Sequence, residues 1–148
     1  MQQDIKIQPM TADNVQAVAQ IEAECFSEPW SLAGLEAELT NPLAVFLTAA
    51  IDDITAGYGG MHCVAGCGYI TNIAVLPAFH RMGIGAAILA SLIAHGKANK
   101  LEAITLEVRT SNLAAISLYQ KFGFAKEGIR PNFYSKPRED AMIMTLKL

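Results

Sequence analysis

With 148 residues, 52% of them hydrophobic and 17% charged, the chain has the length and apolar content of one globular domain spanning residues 1–148, with a sizeable core. A net charge of −3 without any basic block excludes tracking along a nucleic-acid backbone. The longest apolar run, Ile84 to Ala94, is too short for a bilayer, and the opening MQQDIKIQ lacks the parts of a secretory signal, so a cytoplasmic protein is expected.

In chain order, Ile5 and Ile7 alternate with Lys6 and Gln8 and predict a short first strand. Thr11 or Asp13 is placed to cap a helix carrying Val15, Val18, Ile21 and Ala23. Ser31 can cap a second helix with Leu32, Leu35 and Leu39, closed by Asn41-Pro42. Ala44–Ile51 and Ile54–Cys63 read as strands joined at Asp52-Asp53, the second made irregular by Gly57, Gly59 and Gly60. Gly68–Val75 is another strand, ended by Pro77. The cysteines Cys25, Cys63 and Cys67 form no disulfide framework, and His62 with the C-x-x-x-C beside it lacks the second ligand pair of a zinc site. Free thiols and no metal are the expectation.

A helix opening at Gly83 or Gly85 runs to about Asn99, with Ile84, Ile88, Leu89, Leu92 and Ile93 on a broad apolar face. Ile104, Leu106 and Val108 make a strand, followed by a helix from about Leu113 to Phe122 that Gly123 stops. Phe124–Gly128 and Ala141–Leu146 supply two more strands around a loop. This order predicts an α/β (α+β) domain whose mixed central sheet of about six to seven strands carries helices on both faces.

Two stretches carry chemistry. In AFHRMGIGAAI, residues 78–88, a strand feeds a glycine turn and then a helix, whose first N–H groups and dipole favour an anion. Glycines admit a diphosphate close to the backbone, and Arg81 can add a charge-assisted contact. The loop lacks Gly-Lys-Ser/Thr, and Ile88 stands where a dinucleotide fingerprint needs Gly or Ala. The same residues also suit a tight turn without a ligand. In TLEVRTSN, residues 105–112, strand alternation puts Glu107 opposite Leu106 and Val108. On a covered sheet face that carboxylate suits general-base work; on an edge it is merely solvated. Asn112 reads equally as a helix cap, and Tyr119, three residues from Ile116 and Phe122, equally as core.

Together, NIAVLPAFHRMGIGAAIL and LEVRTSNLAAISLYQKFGF resemble the GNAT family of acetyl-CoA-dependent N-acetyltransferases. The second part of the family pattern is complete as Asn112, Ala115, Leu118, Tyr119, Gly123 and Phe124. Phe26, Pro29-Trp30-Ser31, Asn72–Val75, Arg130–Tyr134 and Glu139–Met144 resemble its branch of ribosomal-protein-alanine N-acetyltransferases. The resemblance implies the GNAT fold and direct acetyl transfer, without metal, to a protein N-terminus, foremost an N-terminal alanine of a small-subunit ribosomal protein. It implies Glu107 as base through water and Tyr119 as acid for the leaving thiolate. Backbone N–H groups at Ile73, Ala74 and Val75 would hold pantetheine and polarise the thioester carbonyl. Arg81, Met82, Gly83, Ile84, Gly85 and Ala86 would hold the pyrophosphate, Asn112 would contact the coenzyme, and Tyr134 would shape the acceptor pocket. A small-molecule amine or lysine as acceptor, or a non-catalytic acyl-CoA-binding module, are the alternatives. Three features depart from the pattern. His80 replaces a usual Gln or Arg, which implies an altered contact with binding retained. Phe133 replaces a usual Tyr, and the tract from Tyr134 to Glu139 is short.

Overall fold

A computed structural model describes residues 4–148. The elements are β1 (Lys6–Pro9), α1 (Val15–Cys25), α2 (Leu32–Glu38), β2 (Ala44–Ile51), β3 (Ile54–Val64), β4 (Cys67–Val75), α3 (Ile84–Ala98), β5 (Ala103–Arg109), α4 (Leu113–Lys121), β6 (Ala125–Ser135) and β7 (Arg138–Lys147). A short 3-10 turn, Pro77–Phe79, precedes α3. The seven strands form one mixed sheet in the order β1-β2-β3-β4-β5-β7-β6. Only β4 and β5 run parallel.

Local chemistry sets most boundaries. Asp52 and Asp53 have φ of 50° and 66°, as the two-residue turn of a twisted hairpin requires, so Ile51 pairs with Ile54. Ser31 Oγ accepts from the Gly34 N–H (3.0 Å) and starts α2, and Gly123 at φ 100° stops α4. The start of α1 differs from the expectation. Neither Thr11 nor Asp13 is the cap; Asn14 precedes the helix and makes no capping side-chain bond. Its Oδ1 turns back to the Thr11 N–H (2.7 Å), so the polar side chains close a turn ahead of the helix. The last hairpin also differs. The expected loop is reduced to a turn at Lys136-Pro137: residues 129–135 continue β6 and 138–140 belong to β7, with pairs as far as Tyr134–Glu139 and Ser135–Arg138.

Both sheet faces carry helices. Ile84, Ile88, Leu89 and Leu92 of α3 pack with Ile104, Leu106, Val108, Ile116 and Met144 on one face. Val15, Val18 and Ile21 of α1 and Leu35 of α2 pack with Phe46 and Tyr58 on the other. The glycines of β3 permit the first contact, because a Cβ on Gly59 would stand 2.5 Å from Ile88 Cγ2. No helix among the described residues is long and apolar enough to cross a membrane.

Candidate active site

The sheet opens at its centre. β4 and β5 pair only from Cys67–Ala103 to Tyr69–Thr105. Two residues further on, Thr71 is extra in the ladder with β3: Gly60 faces Asn72 and Met61 faces Ile70. Such a bulge bends its strand and increases the local twist. β4 turns away while β5 stays paired with β7 along its whole length. Beyond the fork, the facing edges of β4 and β5 have backbone groups without a strand partner. A cavity of about 530 Å³ occupies this fork. Ile70–Ile73 form one wall and Leu106–Arg109 the other, with Asn112, Tyr119 and Tyr134 alongside.

Of the residues singled out by sequence, Ile73, Glu107, Asn112, Tyr119 and Tyr134 meet around this cavity. Ala74, Val75 and residues 81–86 lie outside its lining, at the end of β4 and the start of α3. The side chains of Ala74 and Ile84 are buried in the two cores, so only their backbone groups are available to a ligand. Arg81 and Gly83 both adopt left-handed φ, 65° and 79°, and Gly83 is the residue from which α3 starts. The first helical bond runs from Ala87 N–H to Gly83 O at 3.0 Å. The N–H groups of Ile84, Gly85 and Ala86 therefore have no partner within the helix. A Cβ at Gly83 would meet nothing within 4 Å, and one at Gly85 only Leu118 and Val75, which leaves this first turn sterically open to an anion.

Glu107 sits on the cavity wall with its side chain 6% exposed. Its Oε1 is buried without a hydrogen-bond partner, and Arg130 Nη2 stands 3.4 Å away. The ion pair with Arg130 offsets part of the cost of burying this charge, while the oxygen's hydrogen-bonding capacity is left for a ligand. Tyr69, next to Glu107 on the same face, has its hydroxyl pushed up by burial and then by that carboxylate. Tyr119 is buried against Phe124, with ring centroids 5.8 Å apart. Burial, with the Tyr134 hydroxyl adding, pushes its own hydroxyl up to about 12. Asn112 is the helix cap: its Oδ1 accepts from the Ala115 N–H (3.2 Å) at the start of α4, and the residue also lines the cavity.

The far wall joins two segments distant in sequence. Arg109 donates to the carbonyls of Pro137 (2.9 Å) and Lys136 (3.1 Å) and lies over the Tyr134 ring, 4.2 Å from its centroid. Ser27 donates to the Lys136 carbonyl, and Ser135 to Glu28. The α1–α2 loop and the β6–β7 hairpin thus clasp over the cavity. Phe133 meets Tyr134 edge-on at 5.0 Å and is itself exposed.

Three residues escaped the sequence reading. Tyr69 and Arg130 reach Glu107 only through strand order, which no local pattern encodes. Glu22 left a trace: with Val15, Val18 and Cys25 it occupies the apolar stripe of α1, where a carboxylate is out of place. It is wholly buried and accepts from the Trp30 N–H (2.8 Å), the Tyr58 hydroxyl (2.6 Å) and Asn72 Nδ2 (3.2 Å).

A forked sheet with an open helix N-terminus at its end and a buried carboxylate in its cleft agrees with the comparisons to known proteins. A protein of Bacillus subtilis (strain 168) is 37% identical over 139 residues, 93% of this chain and 92% of that one. The [ribosomal protein bS18]-alanine N-acetyltransferase of Salmonella typhimurium (strain LT2) is 36% identical over 144 residues, 94% and 95% of the two chains. The crystal structure of the ribosomal-protein-S18-alanine N-acetyltransferase from Escherichia coli superposes with a TM-score of 0.89 at 31% identity, covering 97% of this chain and 94% of that one. The profile of the acetyltransferase (GNAT) family matches residues 15–124, and with the fork, the glycine turn and the Asn112–Phe124 segment all within that span, the chain belongs to this family.

Proposed function

We propose that the protein transfers the acetyl group of acetyl-CoA to the α-amine of a protein N-terminus, an N-terminal alanine of a small-subunit ribosomal protein being the acceptor its relatives point to. The observation that carries this reading is Glu107 Oε1, a buried acceptor without a hydrogen-bond partner on the wall of the fork. Such an acceptor is placed to take a proton, directly or through one water, and the reaction is proposed to run in the cytoplasm.

Acetyl-CoA supplies the acetyl group as a thioester. The residues present fit it: the turn at Gly83 is open, the first amides of α3 are free, and the edge of β4 at Ile73–Val75 has backbone groups facing the gap. Glycines 83 and 85 with the amides through Ala86 would take the pyrophosphate, Arg81 adding charge from outside. The Ile73–Val75 edge would pair with the pantetheine arm and polarise the thioester carbonyl. An α-amine has a reference pKa near 8, so Glu107, through water, need only remove one proton as nitrogen bonds to the acyl carbon. Tyr119 gives its proton to the departing sulfur, and with a pKa of about 12 it is fully protonated at neutral pH. Cys25 also lines the cavity, but burial and then the Glu22 carboxylate push its thiol up, which disfavours an acetylated cysteine and supports direct transfer.

The test is intact-mass analysis of alanine-initiated ribosomal-protein peptides incubated with the protein and acetyl-CoA. One added acetyl at the terminal amine is expected. Acetylation of polyamines or lysine side chains with the termini untouched would give the same fold another acceptor. Coenzyme binding without turnover on any amine would make it an acyl-CoA-binding module.

A further inference from the structure

A buried carboxylate costs several kcal/mol unless hydrogen bonds replace its water. Glu22 is 0% exposed and has three such bonds, from α1 to the α1–α2 loop, to β3 and to β4. A carboxylate offers only acceptors, so it dictates the direction of every bond around it. Tyr58 spends its proton on Glu22, and the Asn72 amide turns its NH2 towards that carboxylate. The atom left over is Asn72 Oδ1. It has no hydrogen-bond partner among the described residues, it is not among their buried unpartnered atoms, and Asn72 lines the cavity. Glu107 points to this same side of the sheet, because its neighbours Leu106 and Val108 belong to the opposite core. Two acceptor oxygens therefore flank the fork on the α1 face, one from each of the parted strands.

We propose that Asn72 Oδ1 accepts a hydrogen bond from the amine of the acceptor substrate, and that Glu22 is the positioning residue that holds the amide in this orientation. The inference rests on the acetyl transfer proposed above. An α-ammonium group has only donors, so it needs acceptors around it, and a reversed amide would confront it with N–H groups. Held by Asn72 from β4, the nitrogen presents its remaining protons to Glu107 on β5. Through the Trp30 N–H, Glu22 also fixes the loop that closes this side of the cavity.

Glu22→Gln tests the arrangement. The amide at position 22 brings a donor of its own, so Asn72 turns over and shows its NH2 to the cavity. The KM for an alanine-initiated hexapeptide should rise roughly ten- to hundredfold, while acetyl-CoA affinity, measured by calorimetry, stays within about twofold. In the double variant Glu22→Gln/Asn72→Asp the carboxylate changes places. The amide at 22 donates to the acid at 72, whose second oxygen again faces the cavity, so KM returns to within about threefold of the parent. Asn72→Ala, which leaves Glu22 its bonds to Trp30 and Tyr58, should raise KM like Glu22→Gln and decides the matter if the latter fails to fold. An unchanged peptide KM in Glu22→Gln or Asn72→Ala overturns the proposal. So does a double variant that binds acetyl-CoA normally without recovering KM. The parent is assayed on spermidine in parallel. If it acetylates spermidine and not the peptide, the proposed function falls, and the same KM series on spermidine still decides the role of Asn72. If it acetylates neither, both fall together.

Discussion

His80 Nε2 donates a hydrogen bond of 2.9 Å to the carbonyl oxygen of Val75, bracing the turn between β4 and α3 against the end of the strand it leaves. In the glycine turn, the residue that departs from the family pattern thus makes its contact inside the chain. It shapes the glycine turn, where Arg81 and Gly83 hold left-handed φ. His80→Ala should weaken acetyl-CoA binding about fivefold, the worth of one neutral hydrogen bond of about 1 kcal/mol. His80→Gln, whose amide can donate to the same carbonyl, should stay within about twofold. Calorimetric titration of acetyl-CoA decides it, and equal losses in both variants would mean that the imidazole acts other than as a donor.

Glu107 and Tyr119 are predicted to separate in their kinetics. Glu107→Gln should lower kcat by roughly 10²- to 10⁴-fold, the usual contribution of a general base, with acetyl-CoA affinity nearly unchanged. Tyr119→Phe keeps the packing on Phe124 and loses only the proton, so kcat should fall while thermal stability holds. Because burial holds the Tyr119 hydroxyl at about 12, the rate it supports is fully present below its ordinary value of 10.0 and is lost only as pH rises through about 12. A pH–rate profile that loses this activity below 10 would remove Tyr119 as the acid.

Gly59 marks where α3 approaches the sheet. A Cβ there would lie 2.5 Å from Ile88 Cγ2 and 3.3 Å from Leu92 Cδ1. Isoleucine in a helix is confined to nearly one χ1 rotamer, so Ile88 cannot swing aside. Gly59→Ala should cost about 1–3 kcal/mol by overpacking. Urea unfolding should show a lower midpoint at an unchanged slope.

Strands legible in the sequence are those with one apolar face and a local turn. β2 has the ends expected for it because its apolar run and the Asp52-Asp53 turn that closes it are both local. The outer half of β6 was hidden for the opposite reason. It is an exposed edge whose Pro131 and Asn132 (φ 54°) fall within an irregular register between Arg130 and Tyr134. A polar edge with a proline has no hydrophobic period to read. At the site, alternation alone put Glu107 opposite the core. The fork that brings Ile73, Glu107 and Tyr119 to one cavity depends on a bulge at Thr71 and on the strand order, and both are tertiary facts.

Glu139 gives the β6–β7 hairpin a sensitivity to acid. Its carboxylate accepts from the Ser111 N–H (2.7 Å), Thr110 Oγ1 (3.2 Å) and Arg109 Nη1 (3.2 Å). Hydrogen bonding from Ser111, then from Arg109 and Thr110, holds it well below the ordinary 4.5, at about 2. A depressed folded value means stability that is complete above 4.5 and is lost as pH falls through about 2. Thermal unfolding followed down through this window should show a decline that Glu139→Gln flattens, the variant being the less stable protein above it. Parallel curves for the two proteins would show that the carboxylate does not anchor the hairpin.

Arg109 tests whether that hairpin serves the acceptor or the coenzyme. Its planar fork spans the carbonyls of Lys136 and Pro137 while its face covers the Tyr134 ring. A lysine ammonium is a single point on a flexible stem and cannot do all three at once. Tyr134 to Pro137 line the cavity, as the residues of the glycine turn do not, and Ser135 and Lys136 carry the clasp to Glu28 and Ser27 of the α1–α2 loop. Loosening this wall should therefore leave the first turn of α3 untouched. Arg109→Lys is expected to raise the acceptor KM roughly tenfold with acetyl-CoA affinity unchanged, and Arg109→Ala to raise it further. The reverse pattern, weaker acetyl-CoA binding at constant acceptor KM, would assign the hairpin to the coenzyme and remove Tyr134 from the acceptor pocket.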